Sequence, residues 1–298
     1  MNRGILNGIA AYALWGFFPI YWKLLHDVPA PQLLSHRIGW SFLLLLAVIL
    51  VTKQWDDFRS TFNARIFRIY FIAAILIGVN WLLYVWAVNE GHILETSLGY
   101  FINPLLSVLM GVFFLRERLR LAQWIPVVLA AIGVAYLTFT YGRLPWIALS
   151  LAFSFGFYGL VKKLAPLGSL YGLTLETGIL FVPAVIYLGI AQANSTAAFL
   201  HSGVTADLLM IGAGVVTTIP LLLFASAAKQ IPLSMIGILQ YLAPTIQFLL
   251  GILVYKEPFD QSRLIGFGIV WLALIAFWVE NYLASRRSTS ALPAFSER

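Results

Sequence analysis

SLGYFINPLLSVLMGVFFLRER, from Ser97 to Arg118, returns in altered form as GILQYLAPTIQFLLGILVYKEP, from Gly237 to Pro258. The two copies lie 140 residues apart and share residue types that are rare or backbone-specific in an apolar background. The matched pairs are Pro104 and Pro244, Leu109 and Leu249, Gly111 and Gly251, and Glu117 and Glu257. This pattern predicts that one structural unit has been duplicated.

The same offset matches residues along the rest of the chain without a gap. It aligns Gly16 with Gly156 and Lys23 with Lys163. We therefore predict two repeats, residues 1–143 and 144–284. The polar, Ser-rich residues 285–298 are predicted to form a disordered cytoplasmic tail.

The composition indicates a polytopic membrane protein. Hydrophobic residues make up 61% of the 298 positions and charged residues only 10%, whereas soluble domains carry about 25% charged residues. Apolar runs of about 20 residues, long enough to cross about 30 Å of hydrocarbon, recur through the whole chain. The lipid bilayer is therefore the expected environment.

Breaks at charges, Pro and Gly predict ten transmembrane helices in an all-α fold. The spans are 4–25, 33–52, 68–89, 96–115, 122–140, 145–161, 170–190, 206–228, 233–254 and 263–283. Each repeat holds five spans, and because five is odd the second repeat must enter the membrane from the opposite side. The repeats are thus predicted to be inverted, an architecture that recurs in secondary transporters.

The basic residues support this topology. With the N-terminus on one side of the membrane, that side receives 14 of the 19 Lys and Arg residues and the other side receives five. The positive-inside rule then predicts that both termini are cytoplasmic.

Few ionisable groups lie inside the predicted spans, and each is expensive to insert into hydrocarbon. Arg37, beside His36, could neutralise an anionic group on a solute, or it could be an interfacial Arg that reaches the head groups. Glu176, at the position equivalent to His36, could bind and release a coupling proton. The alternative for Glu176 is a structural partner for Lys162 or Lys163.

Neutral polar and aromatic side chains within the spans suit an amphipathic cavity, although packing between helices is the alternative for each. With His36 and Arg37, the predicted cavity residues are Trp15, Asn80, Trp81, Tyr84, Asn103, Tyr158, Gln240 and Tyr241. Pro104 and Pro244 are predicted to interrupt their helices and to permit bending during gating, with packing kinks as the alternative.

Several functions are disfavoured. The sequence has no Cys, no Walker A loop and no HExxH or GxSxG motif, so no cofactor, metal site or catalytic group is predicted. The net charge of +7 is better explained by loops on one side of a bilayer than by nucleic-acid binding. A polytopic membrane enzyme remains an alternative from a different class.

Several segments resemble a known family. SLGYFINPLLSVLMGVFFLRERL resembles the hallmark fourth helix of the EamA-type half in the drug/metabolite transporter superfamily, and Arg37 in SHRIGWS resembles the Arg near the start of that family's second helix. The segments NGIAAYALWGFFPIYWKLL and NWLLYVWAVNEGHILETSLGYFINPL resemble the RarD branch, whose members are named as chloramphenicol-sensitivity proteins.

The resemblance covers nearly the full chain and implies two inverted EamA-type repeats. It implies that helices 1 to 4 and 6 to 9 surround a central cavity, and that helices 5 and 10 are peripheral. It further implies a bacterial inner-membrane permease that exports small-molecule solutes such as amino acids, metabolites or drugs. An uncoupled facilitator of the same solutes is the alternative within transport.

Overall fold

The computed structural model describes residues 3–90, 92–142, 144–256 and 261–290, which form twelve helices and no strands. The helices are α1 Arg3–Lys23, α2 Ala30–Val51, α3 Trp55–Ser60, α4 Ala64–Asn89, α5 Ile93–Leu115, α6 Leu121–Tyr141, α7 Trp146–Leu164, α8 Ser169–Ala193, α9 Val204–Gln230, α10 Leu233–Gln240, α11 Leu242–Leu253 and α12 Gln261–Ser290. The predicted all-α class is confirmed.

Nine segments of the described chain are long and apolar enough to cross a membrane, with α10 and α11 counted together as Leu233–Leu253. The predicted tenth span corresponds to α12, whose apolar stretch Leu264–Phe277 is shorter. α12 continues to Ser290, past the predicted start of the tail at 285. Residues 291–298, Glu257 and Pro258 lie outside the described residues, as do the side chains of Glu95 and Trp278.

Pro and Gly mark many of the helix boundaries. α2 follows Pro29 and α10 follows Pro232, while α6 ends at Gly142 with a φ of +79°. Pro fits the first turn of a helix because no N–H is needed there, and Gly accepts the left-handed geometry of a helix end. These residues explain why the predicted boundaries lie within a few positions of the observed ones.

The two repeats end their fourth span in the same way. Arg116 follows α5 with a φ of 55°, and Lys256, its counterpart 140 residues later, has a φ of 51°. Left-handed geometry is uncommon for residues other than Gly, Asn and Asp. The shared backbone conformation supports the duplication independently of residue identity.

Helix packing follows the same pseudo-symmetry. α1 packs against α9, α10 and α11, and α7 packs against their counterparts α4 and α5. α2 also packs against α9, as α8 does against α4, and three further pairs are formed by equivalent helices: α2 with α8, α5 with α10 and α6 with α12. Because each repeat packs mainly on the other, a single interface between the repeats forms the centre of the protein.

The connections between helices gather at two faces of the bundle. At one face, Gln54 after α2 accepts a hydrogen bond from Tyr171 of α8, and Glu117 after α5 contacts the start of α10. We call this the basic face because Lys53, Arg59, Arg116 and Arg118 belong to it. At the opposite face, the α1–α2 and α8–α9 connections meet.

Candidate functional site

A cavity of about 320 Å³ lies between the repeats, in the half of the bundle toward the opposite face. Its walls come from α1, α2, α4 and α5 of the first repeat and from α7, α9, α10 and α11 of the second. The family resemblance predicted that eight spans surround a cavity, and seven of them do; the seventh span, α8, supplies none of the described lining residues. α6 and α12 pack on each other outside it.

Most of the predicted cavity residues line this space. They are Trp15, Arg37, Asn80, Trp81, Tyr84, Asn103 and Gln240. Pro244, predicted as a helix break, also lines it. The cavity is therefore amphipathic, with aromatic walls interrupted by amides and one guanidinium.

Arg37 is the one charged side chain among the described residues that line the cavity. Its Nε donates a hydrogen bond to Thr217 Oγ1 of α9 at 3.0 Å. Its Cζ lies 4.7 Å from the ring centroid of Trp22 and 5.1 Å from that of Trp81, within the range of cation–π attraction. These contacts hold the guanidinium at the cavity. The structure therefore does not show the alternative for Arg37, an interfacial side chain that reaches the lipid head groups.

The amides that border the cavity also tie the repeats together. Asn80 donates to the carbonyl of Leu151 at 2.8 Å, and Gln247 donates to the carbonyl of Trp15 at 3.0 Å. Gln240 accepts from Ser107 Oγ at 3.0 Å. The amides thus hydrogen-bond between helices, which was the alternative to a cavity role, and they also contribute polar surface to the cavity wall.

Two buried polar atoms of lining residues lack a hydrogen-bond partner within the described structure. They are Tyr12 Oη and Asn103 Oδ1, on side chains of residues that are 2% and 8% exposed. Buried polar groups are normally paired, because an unmade hydrogen bond costs about 1 to 3 kcal/mol. Both atoms are therefore available to a bound molecule.

Three predicted cavity residues do not line the cavity. The ring of His36 packs 5.0 Å from that of Phe199, in the α8–α9 connection, and Tyr241 bonds to the carbonyl of Phe101. Tyr158 lies beyond the cavity, toward the basic face. The prediction for these three is wrong because neighbouring residues on a helix point about 100° apart, so a shared depth does not give a shared direction.

Glu176 is also off the cavity wall. Its Oε1 accepts a hydrogen bond from Lys162 Nζ at 2.7 Å, and its Oε2 accepts one from Tyr158 Oη at 2.9 Å. The side chains of Lys162 and Glu176 are only 2% and 1% exposed. This arrangement is the alternative stated for Glu176, a structural partner of Lys162.

Aromatic rings close the cavity toward the basic face. Phe224 lies 5.5 Å from Phe155 and stacks on Tyr158 at 6.0 Å, while Tyr12 lies 5.2 Å from Trp15. We call these five residues the aromatic floor. The floor separates the cavity from the Lys162–Glu176 pair.

The two prolines behave differently. Pro244 has no N–H to donate to the carbonyl of Gln240, and the helix is interrupted at Tyr241, between α10 and α11. Pro104 lies inside the continuous helix α5, so the interruption predicted there is wrong. A Cβ added to Gly237 would lie 2.5 Å from the carbonyl oxygen of Pro104, which shows close backbone packing of α10 on α5.

Glu117 caps α10 from the other repeat. Its Oε1 accepts from the backbone N–H of Leu233 at 2.6 Å, and its Oε2 accepts from the N–H and hydroxyl of Ser234 at 2.9 and 2.6 Å. A carboxylate at a helix N-terminus satisfies free N–H groups and opposes the helix dipole. The sequence analysis identified Glu117 only as the counterpart of Glu257 and did not predict this contact.

Sequence reasoning missed several wall residues. Thr217, which anchors Arg37, was one of two adjacent Thr residues in an apolar span, and that polar pair was the available signal. Trp22, near the end of the first predicted span, also lines the cavity beside Arg37. Tyr100 lines the cavity next to Tyr84, with ring centroids 5.9 Å apart.

A solved crystal structure shares this fold. It aligns with a TM-score of 0.68 over 93% of this chain and 97% of its own, at 18% sequence identity. Identity at that level establishes the fold alone. Inverted five-helix repeats with a cavity between them are the architecture of a polytopic membrane transporter.

The relatives refine that class. A model of the EamA-like transporter family matches residues 2–139. An uncharacterised transporter of Bacillus subtilis, YojE, is 46% identical over 97% of this chain and 98% of its own, and protein RarD of Escherichia coli is 42% identical over the same shares. This chain belongs to the EamA-like transporter family, as a RarD-like member of the drug/metabolite transporter superfamily.

A more distant relative carries a functional name. The chloramphenicol-sensitive protein RarD of Pseudomonas aeruginosa is 26% identical over 92% of this chain and 93% of its own. The family and the apolar helices together identify this chain as a multi-pass protein of the bacterial inner membrane.

Proposed function

We propose that this protein is a secondary transporter that exports a small amphipathic metabolite, amino acid or drug by alternating access. One observation carries the proposal: between two inverted repeats that pack on each other lies an aromatic cavity whose described wall contains one cation, Arg37. A site at such an interface changes its exposure when one repeat rocks against the other. Export rather than import rests on the family alone.

The orientation follows from charge. With both termini cytoplasmic, the basic face meets the cytoplasm and the cavity occupies the periplasmic half. The aromatic floor and the Glu117 cap then lie on the cytoplasmic side, as expected for a conformation closed to the cell interior. Because the chain has no Cys, single cysteines introduced at Leu144, at the opposite face, and at Lys53, at the basic face, can each be tested for labelling from outside intact cells. Labelling of Lys53→Cys from outside intact cells would overturn this orientation.

Proton coupling through Glu176 is a finer proposal. Glu176 is buried with Lys162 and Tyr158 between the cavity and the basic face, where a carboxylate is costly unless paired. If Glu176 carries the coupling proton, the double variant Glu176→Gln with Lys162→Met, which leaves no unpaired buried charge, abolishes accumulation driven by a pH gradient and leaves exchange of solute intact. Accumulation at the wild-type rate in this variant would exclude coupling at Glu176.

Two alternatives differ in what an assay detects. An uncoupled facilitator equilibrates the solute and never accumulates it under a pH gradient. A membrane enzyme yields a chemically altered product instead of a relocated one. The relatives are named as transporters, which favours relocation.

The deciding experiment compares metabolites inside and outside cells that lack the protein, overproduce it, or overproduce Arg37→Ala, with chloramphenicol as an added solute. Arg68→Ala is the matched control, because Arg68 is exposed at the start of α4 and does not line the cavity. We expect a compound to move with the wild type and with Arg68→Ala, but not with Arg37→Ala. Equal movement with all three proteins would remove Arg37 from the transport path.

A further inference from the structure

The charge in the cavity is unbalanced. Arg37 contributes a guanidinium, and no Asp or Glu is among the described residues that line the space. A cation inside a membrane protein is costly unless it meets an anion. An anionic group on the bound molecule would supply the missing partner.

The geometry of Arg37 leaves its binding end free for that partner. Thr217 occupies Nε at 3.0 Å, and the described structure contains no ion pair or further hydrogen bond of this side chain. Trp22 and Trp81 flank the guanidinium and restrict its rotamers. The two terminal nitrogens remain for a ligand, and their fork matches the two oxygens of a carboxylate.

The other lining residues indicate the chemical character of the rest of the bound molecule. Trp15, Trp81 and Phe155 offer flat apolar surfaces that suit a planar ring. Asn103 Oδ1 is an acceptor without a partner, so the molecule should carry a hydrogen-bond donor in addition to its anion. Asn103 lies on α5 and Arg37 on α2, and both line the same cavity, so one small molecule can meet both groups.

We propose that the substrate class is a small planar monocarboxylate with one hydrogen-bond donor on its ring, and that the cavity selects it over the corresponding amino acid. This inference rests on the proposed transport function. A zwitterion brings an ammonium group, for which the described wall has no carboxylate. A phosphate dianion is disfavoured as well, since one guanidinium would leave a negative charge in the cavity.

Four indole compounds of nearly the same shape test the charge directly in binding measurements with the purified protein in an uncharged detergent. They are indole-3-propionate, tryptophan, tryptamine and tryptophol, which are an anion, a zwitterion, a cation and a neutral alcohol. We expect indole-3-propionate to bind at least ten-fold more tightly than each of the other three. Equal binding of tryptophan and indole-3-propionate would overturn the inference.

Variants assign the preference to the residues. Arg37→Gln should reduce binding of indole-3-propionate at least ten-fold and leave tryptophol unchanged, while Arg68→Gln should change neither. Thr217→Val should weaken binding of indole-3-propionate several-fold, because the guanidinium of Arg37 loses its hydrogen bond to Thr217. Undiminished binding of the anion to Arg37→Gln would contradict the inference.

A variant that gains binding of a probe must be folded, so it distinguishes a change of preference from a loss of structure. Asn103→Asp places a carboxylate in the wall and should shift the preference from indole-3-propionate toward tryptophan. The side chain of Glu95 lies outside the described part of the chain, so Glu95→Gln is tested as well. If wild-type protein bound tryptophan tightly and Glu95→Gln did not, Glu95 would supply the carboxylate and the inference would be wrong.

Flux in proteoliposomes separates this inference from the proposed function. Binding of indole-3-propionate without flux of any solute would contradict transport and retain the anion site. Movement of a cationic or zwitterionic metabolite in the cell assay, with no binding of the four probes, would retain transport and overturn the monocarboxylate class.

Discussion

The hydroxyl of Tyr241 donates a hydrogen bond to the backbone carbonyl of Phe101 at 3.3 Å, and the two residues occupy equivalent positions in the repeats, 140 residues apart. Equivalent positions meet only near the axis that relates two copies. The bond therefore lies at the pseudo-two-fold axis, where α5 contacts the interrupted helix α10–α11.

Tyr241→Phe should destabilise this contact modestly. The variant removes one buried hydrogen bond without changing the packing, and bonds between membrane helices are worth about 0.6 kcal/mol on average. Unfolding in mixed micelles measures the difference. Tyr187→Phe is the control, because Tyr187 is 39% exposed. An equal loss in both variants would show that the bond at the axis contributes nothing specific.

Gly237→Ala should be destabilising even though Ala favours helices. The added Cβ would lie 2.5 Å from the carbonyl oxygen of Pro104 and 3.0 Å from the N–H nitrogen of Val108, and neither backbone atom can move independently of α5. Overpacking of this kind costs about 1 to 3 kcal/mol. In Gly189→Ala, by contrast, the new Cβ meets no atom within 4 Å, so this helix should gain a few tenths of a kcal/mol or more. Opposite signs in thermal unfolding are the expected result.

Glu117→Gln should loosen the start of α10. The variant exchanges a carboxylate with three short hydrogen bonds for a neutral amide and loses the favourable interaction with the helix dipole. A cysteine at Met235, in the first turn of α10, reports the opening through maleimide labelling without background, since the chain has no other Cys. We expect labelling several-fold faster than in the Met235→Cys parent.

Glu90→Gln controls for the loss of an acid, because Glu90 is exposed at the opposite end of the bundle. Unchanged labelling in Glu117→Gln would mean that α10 does not depend on this cap.

Lys162 and Glu176 should show strong coupling in a double-mutant cycle. Removal of one partner leaves an unpaired buried charge, which costs about 3 to 5 kcal/mol, so Glu176→Gln and Lys162→Met should each be severely destabilising. The double variant should recover most of that loss, since neither charge remains. Additive losses in unfolding free energy would show that the two residues act independently.

Lys53→Met provides the comparison for the loss of a Lys in this cycle. Lys53 is exposed in the α2–α3 connection, and a surface substitution of this type changes stability by less than about 0.5 kcal/mol.

The fold was largely predictable because hydrocarbon imposes one rule on every span: about 20 apolar residues with all backbone groups bonded internally. The 140-residue offset predicted the duplication, and the odd number of spans in each repeat predicted the inversion. Two local features escaped prediction. The helix α3 is six residues long and lies in a polar connection, where hydropathy carries no signal. The interruption at Tyr241 rather than at Pro104 depends on packing around each proline, which the sequence does not record.

The sequence predicted how deep in the membrane the cavity residues lie, but not which side chains point into the cavity. His36 and Arg37 are adjacent, yet only Arg37 lines the cavity, while His36 packs on Phe199. The hydropathy pattern shows how deep in the membrane a residue lies along its helix. It does not show which face of the helix points to the cavity, because the face toward lipid and the face toward other helices are both apolar. The partners of Glu117, Leu233 and Ser234, lie more than a hundred residues away, so no local pattern could have revealed the cap.

The single guanidinium has a consequence for how such a protein could have arisen. Neither five-helix half encloses the cavity alone, since Arg37 comes from one half and Thr217 from the other. Two identical halves that paired in opposite orientations would carry a second Arg at the position equivalent to Arg37, on α8. Within a single chain the position equivalent to Arg37 in the second repeat need not be Arg, and in this chain it is Thr177. A chain that contains both halves can therefore hold an asymmetric site, with one cation in its described wall, inside a nearly symmetric scaffold.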